Sequence, residues 1–533
     1  MRNYLRRAAA ELWVIDCSPE GHQPEVNTRI FQGVQQPVCI VIASRPPGAD
    51  RDAPARVRFR SLPEGRREEK FAALARVTLD GDGWVECPKD WRAPFRPEAV
   101  GAWADYPALD DLTLDDGSGV MPGQTWVIAP DPESLRRRWQ ALVDAPEDRK
   151  EALFHPHLLG GKPGDRHVNR SIPKGLPGYE VRVMPVAEDR GACPTPVRYG
   201  FRSFDRQWII PDNRLINRPN PSLWEGHSTA QVYLTAVNQT SPSSGPALTL
   251  TGLVPDLDHY NGRGGRVFSL YRDRAATRPN LPDGLESYLG GRLGVEVSPE
   301  AIFAYVAAVA AHPGFTSRFA SDLIQPGLRV PITADGATFA EAVELGREVI
   351  WLHTFGDRFA DPARGRPAQP PRLAKGTGPR IPVDGAIPPG EMPESIEYDE
   401  AMGRLMIGRG FVDGVSPRIW GYEVSGKAVL KQWFSYRGAN RERPIIGDRR
   451  PPSKLGEIQP ESWPAEYTSE LINLLHVIGR LIEIEPAQSQ LLDRIARGAT
   501  IGARELREAG VLRPMTGARE AAEPDLPLLR GLE

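Results

Sequence analysis

Residues 199–219 read YGFRSFDRQWIIPDNRLINRP, short apolar runs closed by a Pro-Asp-Asn turn. The pattern is that of strand, tight turn and strand. The same texture continues on both sides. VRVMPV (181–186) and TPVRYGF (195–201) lie at or before its start, and RQWIIP (206–211) lies inside it. AQVYLTAV (230–237), ALTLTGLV (247–254) and GRVFSLY (265–271) follow, separated by turn residues at regular intervals. Residues 180–360 therefore read as a β-rich domain carrying helices. Those helices are expected over 298–324, with Ser298 as cap and Pro299 in the first turn, and over 335–353.

Further out, residues 361–395 are dense in Pro, Gly and Arg and read as a linker. Residues 396–533 read as mainly helical after a few short strands, with helices in KAVLKQWFSYR (427–437) and in 465–496. Upstream, 46–179 reads as a connecting α+β region. It holds the strand VRFRSL (57–62), strands in ARVTLDGDGWVECP (75–88), and a helix capped by Asp131 with Pro132 at its first position. Residues 1–45 give helix, buried strand LWVID (12–16), loop, and buried strand PVCIVIASR (37–45). That order resembles the closing edge of a doubly wound, Rossmann-like α/β domain. The fold class expected is mixed α/β and α+β.

The chain has 533 residues, enough for two to four domains. Its 66 basic and 69 acidic residues leave a net charge of −3, against a protein that merely coats nucleic acid. A local basic cleft remains compatible with that balance. No apolar run reaches the roughly 18 residues of a membrane span, and Glu11 and Asp16 interrupt any signal-peptide core. A cytoplasmic location is expected, with no membrane partner. The four cysteines (Cys17, Cys39, Cys87, Cys193) form no CxxC pair and read as small core residues, so no metal is expected.

Four stretches in order carry a resemblance: WVIDCSPEGHQPEVNTRIFQGVQQPVCIVIASR (13–45), the segment 199–219, residues 318–359, and residues 419–475. Together they resemble the type ISP restriction-modification enzymes and related N6-adenine DNA methyltransferases, specifically their C-terminal target-recognition part. The resemblance implies a methyltransferase-like edge at 1–45 and a specificity region beyond it. It implies duplex DNA as partner and S-adenosylmethionine as cofactor of the complete system. The residues that would perform catalysis are missing. No [Asp/Asn]-Pro-Pro-[Tyr/Phe] motif occurs; NRPNPS (217–222) and DRRPPS (448–453) do not fit it. GDGW (81–84) and NGRGGR (261–266) carry glycines, but neither follows a buried strand and opens a helix, as a donor site requires. No GxxxxGK[ST] is present. No catalytic residue is assigned, and the expectation is a recognition chain whose methyltransferase core is supplied in trans.

Candidate DNA-contacting residues follow from chemistry. Arg202 and Arg206 have the fork that grips phosphate or a guanine edge, with Asp205 orienting one of them. The competing reading is an Arg–Asp pair that holds two strands together. In HYNGRGGR (259–266), Tyr260, Asn261, Arg263 and Arg266 combine residue types that read adenine and guanine with glycines that permit close approach. The competing reading is a surface turn. Arg441, Arg443, Arg449, Arg450 and Lys454 form a basic stretch diluted by Glu442 and Asp448, either a backbone track or a solvated loop. By the resemblance, His22, Gln23 and Asn27 lie near the target-base pocket; by residue type alone they are a polar loop. Arg136, Arg137 and Arg138 read as a solvated helix face, and Trp420, Trp433 and Trp463 as core. Two other functions stay open: an adenine methyltransferase in its own right, and a protein-interaction remnant.

Overall fold

The computed structural model describes residues 2–19, 28–31, 34, 37–50, 52–89, 91, 95–97, 101–159, 162–237, 242, 244–260, 265–323, 327–439 and 452–513. The chain falls into two compact units. One is Met1–Asp105 with Gln239–Ser241 and Ser321–Pro326; the other is the remainder.

The first unit opens with α1 (Arg2–Ala8) and β1 (Glu11–Asp16). It continues through β2 (Cys39–Ser44), β3 (Arg56–Ser61), α2 (Arg67–Leu74), β4 (Val85–Glu86) and the single turn α3 (Ala102–Asp105). The sheet order is β2-β1-β3-β4. β1 runs antiparallel to β2 and parallel to β3, with Val14 opposite both Val41 and Phe59. β1 is buried along Leu12–Asp16, as its apolar run predicts. β2 corrects the sequence reading. Its CIVIAS run was expected in the core, yet it forms a sheet edge with Val41 and Ile42 exposed. An apolar run cannot by itself distinguish a central strand from an uncovered edge. The strands expected in 75–88 reduce to β4, since a helix end and a Gly-Asp-Gly turn take the rest.

The second unit begins with β5 (Gly117–Ser118), β6 (Ile128–Ala129), α4 (Pro132–Val143) and α5 (Glu147–Phe154). Asp131 caps α4 by accepting the Ser134 N–H at 2.7 Å, and Pro132 opens it. Trp126, Leu135, Trp139 and Phe154 form a core beneath these helices. A two-residue hairpin pair, β7 (Leu158–Leu159) and β8 (Lys162–Pro163), leads into irregular chain up to β9 (Val197–Arg202) and β10 (Asp205–Ile209). VRVMPV makes no strand; Val181, Val183 and Met184 are exposed there. After α6 (Pro221–Glu225) come β11 (Tyr233–Val237), β12 (Leu248–Thr251) and β13 (Gly265–Ser269). They assemble in the order β12-β11-β13-β5, while β6, β10 and β9 form a separate sheet.

The helical layer comprises α7 (Leu285–Leu293), α8 (Pro299–Ala310), α9 (Pro313–Arg318) and, after β14 (Ile332–Thr333), α10 (Gly336–His353). Ser298 and Asp335 cap α8 and α10 through side-chain oxygens. The helix expected over 298–324 breaks at His312, because Pro313 has no N–H to continue the ladder and starts α9 instead. α8 and α10 approach so closely at Gly346 that a Cβ there would stand 1.7 Å from the Ala304 carbonyl oxygen. Residues 361–395 have little regular structure but pack onto the C-terminal core through Leu373, Ile381 and Ile387.

β15 (Ile396–Asp399), β16 (Arg404–Ile407) and β17 (Gly410–Asp413) form a meander, followed by α11 (Pro417–Trp420) and the pair β18 (Glu423–Val424) and β19 (Lys427–Ala428). α12 (Val429–Ser435), the long α13 (Ala465–Arg497), β20 (Thr500–Ile501) and α14 (Ala503–Glu508) are the last elements among the described residues. Trp433 is buried in this core, with Trp420 and Trp463 packed against it. The architecture is thus mixed α/β with several small sheets.

Candidate nucleic-acid interface

The β9–β10 hairpin turns at Phe204, whose φ of 64° lies in the left-handed region and whose ring sits 4.8 Å from His353. Its arginines face inward. Arg202 Nη1 donates to Asp256 Oδ1 at 2.7 Å, and the guanidinium lies 3.9 Å over the Phe201 ring. Both charged side chains are under a tenth exposed. Asp256 also accepts the Tyr199 hydroxyl at 2.7 Å and the Asp258 N–H at 2.9 Å. Burial pushes the Arg202 guanidinium down, but Asp256, Tyr436 and Asp258 together outweigh it and hold Arg202 firmly charged. Burial, reinforced by Asp256, pushes the Tyr199 hydroxyl far above its usual range.

Asp205 has an equally enclosed role. It accepts from Arg437 Nη2 at 2.7 Å and from Gln207 Nε2 at 2.8 Å. Arg437 is fully buried over the Trp433 ring and shares Glu470 with Arg198. Arg206 is half-buried, 3.9 Å over the Phe355 ring and 3.9 Å from Asp357, and burial lowers its pKa. The signature hairpin is therefore a structural joint. It ties β9 and β10 to the 255–260 turn, to Arg437 just past α12, and to α13 through ion pairs.

Arg266 stands at the start of β13 and grips Asp116 with two guanidinium nitrogens, Nε at 2.6 Å. Asp116 also faces Arg513 Nη1 at 3.5 Å. Tyr260 is buried, its hydroxyl donating to the Pro246 carbonyl at 2.8 Å. Neighbouring His259 shares a hydrogen bond with Thr235 Oγ1 at 2.8 Å, and burial pushes its imidazole down to about 3. Both ends of the HYNGRGGR segment are thus fixed. Asn261 and Arg263 lie outside the described residues, as do His22, Gln23, Asn27, Arg441, Arg443, Arg449 and Arg450. Of the three arginines on α4, Arg138 turns inward and donates to the Trp126 and Ile128 carbonyls, so only Arg136 and Arg137 are solvated.

One cationic surface escaped the sequence reading. Between α5 and β9, Lys162, Arg170 and Lys174 are exposed on a segment pinned beneath by Val168 and Leu176, both buried. Arg166 staples it by donating to Asn213 O at 2.9 Å and Oδ1 at 2.7 Å, and Asn213 Nδ2 returns a bond to the Lys174 carbonyl at 2.6 Å. Arg218, two residues past Ile216 on the same loop as Asn213, is also exposed. The available signal was four cations at positions 162, 166, 170 and 174 against the single acid Asp165. The sequence analysis places these residues only within the connecting region 46–179.

Of the two glycine-bearing stretches, the GDGW turn does not have the form of a methyl-donor cradle, and residues 261–264 lie outside the described residues. Gly81 and Gly83 belong to a turn after α2 in which Trp84 Nε1 donates to the Thr78 carbonyl and Trp13 Nε1 to the Leu79 carbonyl. No helix N-terminus opens from that turn toward a ligand. Among the described residues no group of His, Cys, Asp and Glu is placed to hold a metal ion. No described helix is long and apolar enough to cross a membrane.

Residues 112–474 match the family described as the type ISP C-terminal specificity domain, and the chain belongs to that family. Three solved structures share the fold. The DrdV–DNA complex is 15% identical with a TM-score of 0.58, covering 93% of this chain and 49% of that one. A nuclease-deletion mutant of the type ISP restriction-modification enzyme LlaGI with a DNA substrate mimic is 14% identical with a TM-score of 0.57, covering 92% and 37%. The ATP-dependent type ISP enzyme LlaBIII bound to DNA is 12% identical with a TM-score of 0.56, covering 94% and 32%. The chain spans about half or less of the length of these proteins. No curated protein matches it by sequence.

Proposed function

We propose that this chain recognises a specific duplex DNA sequence within a restriction-modification or phage-defence system, presenting an adenine for N6 methylation by a methyltransferase core supplied in trans. The observation that carries the reading is the specificity-domain match over residues 112–474. Its support from structure is the shared fold with three proteins seen as DNA complexes. In the complete system S-adenosylmethionine would belong to the core.

Two features of the first unit support a partner polypeptide. The parallel β1–β3 pair is compatible with the edge of a methyltransferase-like sheet. The β2 edge is apolar, uncharged and exposed, and such edges accept further strands. The same edge is what an interaction module would present, so the experiment must separate the two. Purified chain is incubated with a mixed duplex library across a salt series, and bound sequences are recovered. Salt-sensitive binding that enriches one short motif supports recognition. A stoichiometric protein partner with no nucleic-acid affinity at low salt refutes it. Labelled-methyl transfer on mixing with a matching core polypeptide, and none by either alone, tests supply in trans.

A further inference from the structure

We propose that the exposed face of residues 162–174, with Arg218 beside it, is a track for the phosphodiester backbone of DNA. The inference rests on the DNA-recognition reading and names where the backbone lies.

The track is built to hold cations outward. α5 ends at His155 in the left-handed conformation, and β7 and β8 fold the chain back. The Gly164 N–H donates to the His157 carbonyl at 2.9 Å, closing that hairpin. Val168 and Leu176 then insert into two different cores, and the Ala187 N–H donates to the Val168 carbonyl at 3.0 Å. The Arg166–Asn213–Lys174 staple fixes what remains. Arg166, the cation that points inward, is used for scaffolding; Lys162, Arg170 and Lys174 are left on the surface.

The opposing charge is sparse. Asp165 is the only acid from 155 to 178, and it lies 3.8 Å from Arg170. Lys162, Lys174 and Arg218 have no ion pair among the described residues. Most other arginines in this unit do, including Arg202, Arg206, Arg214 and Arg266. Arg218 is placed next to the track: its backbone pairs with Met121, and at Gly123 a Cβ would stand 2.8 Å from Asn217 Cβ and 3.4 Å from His157 Cβ. In a chain of net charge −3, a rigid face whose cations outnumber the carboxylates beside it, Asp165 at Arg170 and Glu151 at His167, is the natural seat for a polyanion. Such contacts set register without reading bases.

The test replaces Lys162, Arg170 and Lys174 together by Gln and measures binding to the selected duplex from 50 to 300 mM salt. Each phosphate contact contributes about 0.9 to the slope of log K against log salt. The expected result is a slope shallower by about 3, an affinity roughly 10²–10³-fold weaker at about 0.1 M salt, and an unchanged preferred motif. An unchanged slope with motif-specific binding intact overturns the track while leaving DNA recognition standing. Absence of DNA binding by the unsubstituted chain overturns both. Should the triple variant misfold, amine modification of the unsubstituted chain decides: DNA is expected to protect Lys162 and Lys174, and equal labelling with and without DNA refutes the proposal.

Discussion

Replacing Arg202 by Met separates the two roles open to this residue. The structure makes it one half of a buried pair, Nη1 to Asp256 Oδ1 at 2.7 Å, with both side chains almost wholly enclosed. Arg202→Met leaves the Asp256 carboxylate in the core. Stranding a buried charge typically costs about 3–5 kcal/mol. Tyr199 and Asp258 still donate to Asp256, so the lower end applies, about 3 kcal/mol, or roughly a 150-fold fall in the folding equilibrium. Removing both charges with Arg202→Met and Asp256→Asn is expected to recover most of that loss. Burial raises the Asp256 pKa, and without the guanidinium that effect is opposed mainly by the hydrogen bonds from the Asp258 N–H and the Tyr199 hydroxyl. A carboxyl whose folded pKa exceeds its unfolded value stabilises the fold below that folded pKa, so the gap between variant and parent narrows as pH falls. Urea unfolding followed by tryptophan fluorescence reads these differences. In DNA binding, the salt slope of the folded variant equals the parent's, since no phosphate contact is lost. A variant that is as stable as the parent, with a slope shallower by about 0.9, would refute the structural assignment.

Asp205→Asn strands Arg437 against Glu470 alone and is expected to cost about 3 kcal/mol in the same assay, with Arg437→Met largely restoring stability in the double variant. Burial holds five histidines neutral: His259 and His353 at about 3, and His227, His312 and His476 at about 4. Their unfolded forms take up protons below about pH 6.5 while the folded forms do not, so stability falls with pH from there toward pH 4, by about 1.4 kcal/mol per pH unit for each. A flat urea midpoint over that window contradicts the burial of these rings. Cys39 is the exposed thiol, while burial raises the Cys17 and Cys87 pKa values to about 11. A thiol reagent at pH 8 is therefore expected to modify Cys39 at least tenfold faster than Cys17 and Cys87, and Cys39→Ser to abolish that fast phase.

Short-range physics made much of this legible. Caps at Asp131 and Ser298 involve a side chain and an N–H three residues on, and each formed where residue type placed it. The strands from 195 to 271 followed their apolar runs and turns. Four blocks in order were enough to point to a specificity domain, because a family signature is a property of sequence. What failed needed a partner distant in the chain. CIVIAS is equally apolar whether it is a central strand or an edge, and only the sheet order put Val41 and Ile42 at the surface. VRVMPV lacked a neighbour to complete a ladder.

The sequence by itself determined that arginines crowd the 199–219 block and that basic residues recur from 162 to 174. It could not say which of them face water. That choice depends on carboxylates supplied from elsewhere: Asp256 to Arg202 across 54 positions, Asp116 to Arg266 across 150, and Asp205 to Arg437 across 232. A guanidinium enters a core where a carboxylate, or carbonyls as at Arg138, offset its desolvation, so tertiary structure assigned Arg202 to the interior and left Lys162, Arg170, Lys174 and Arg218 on the surface.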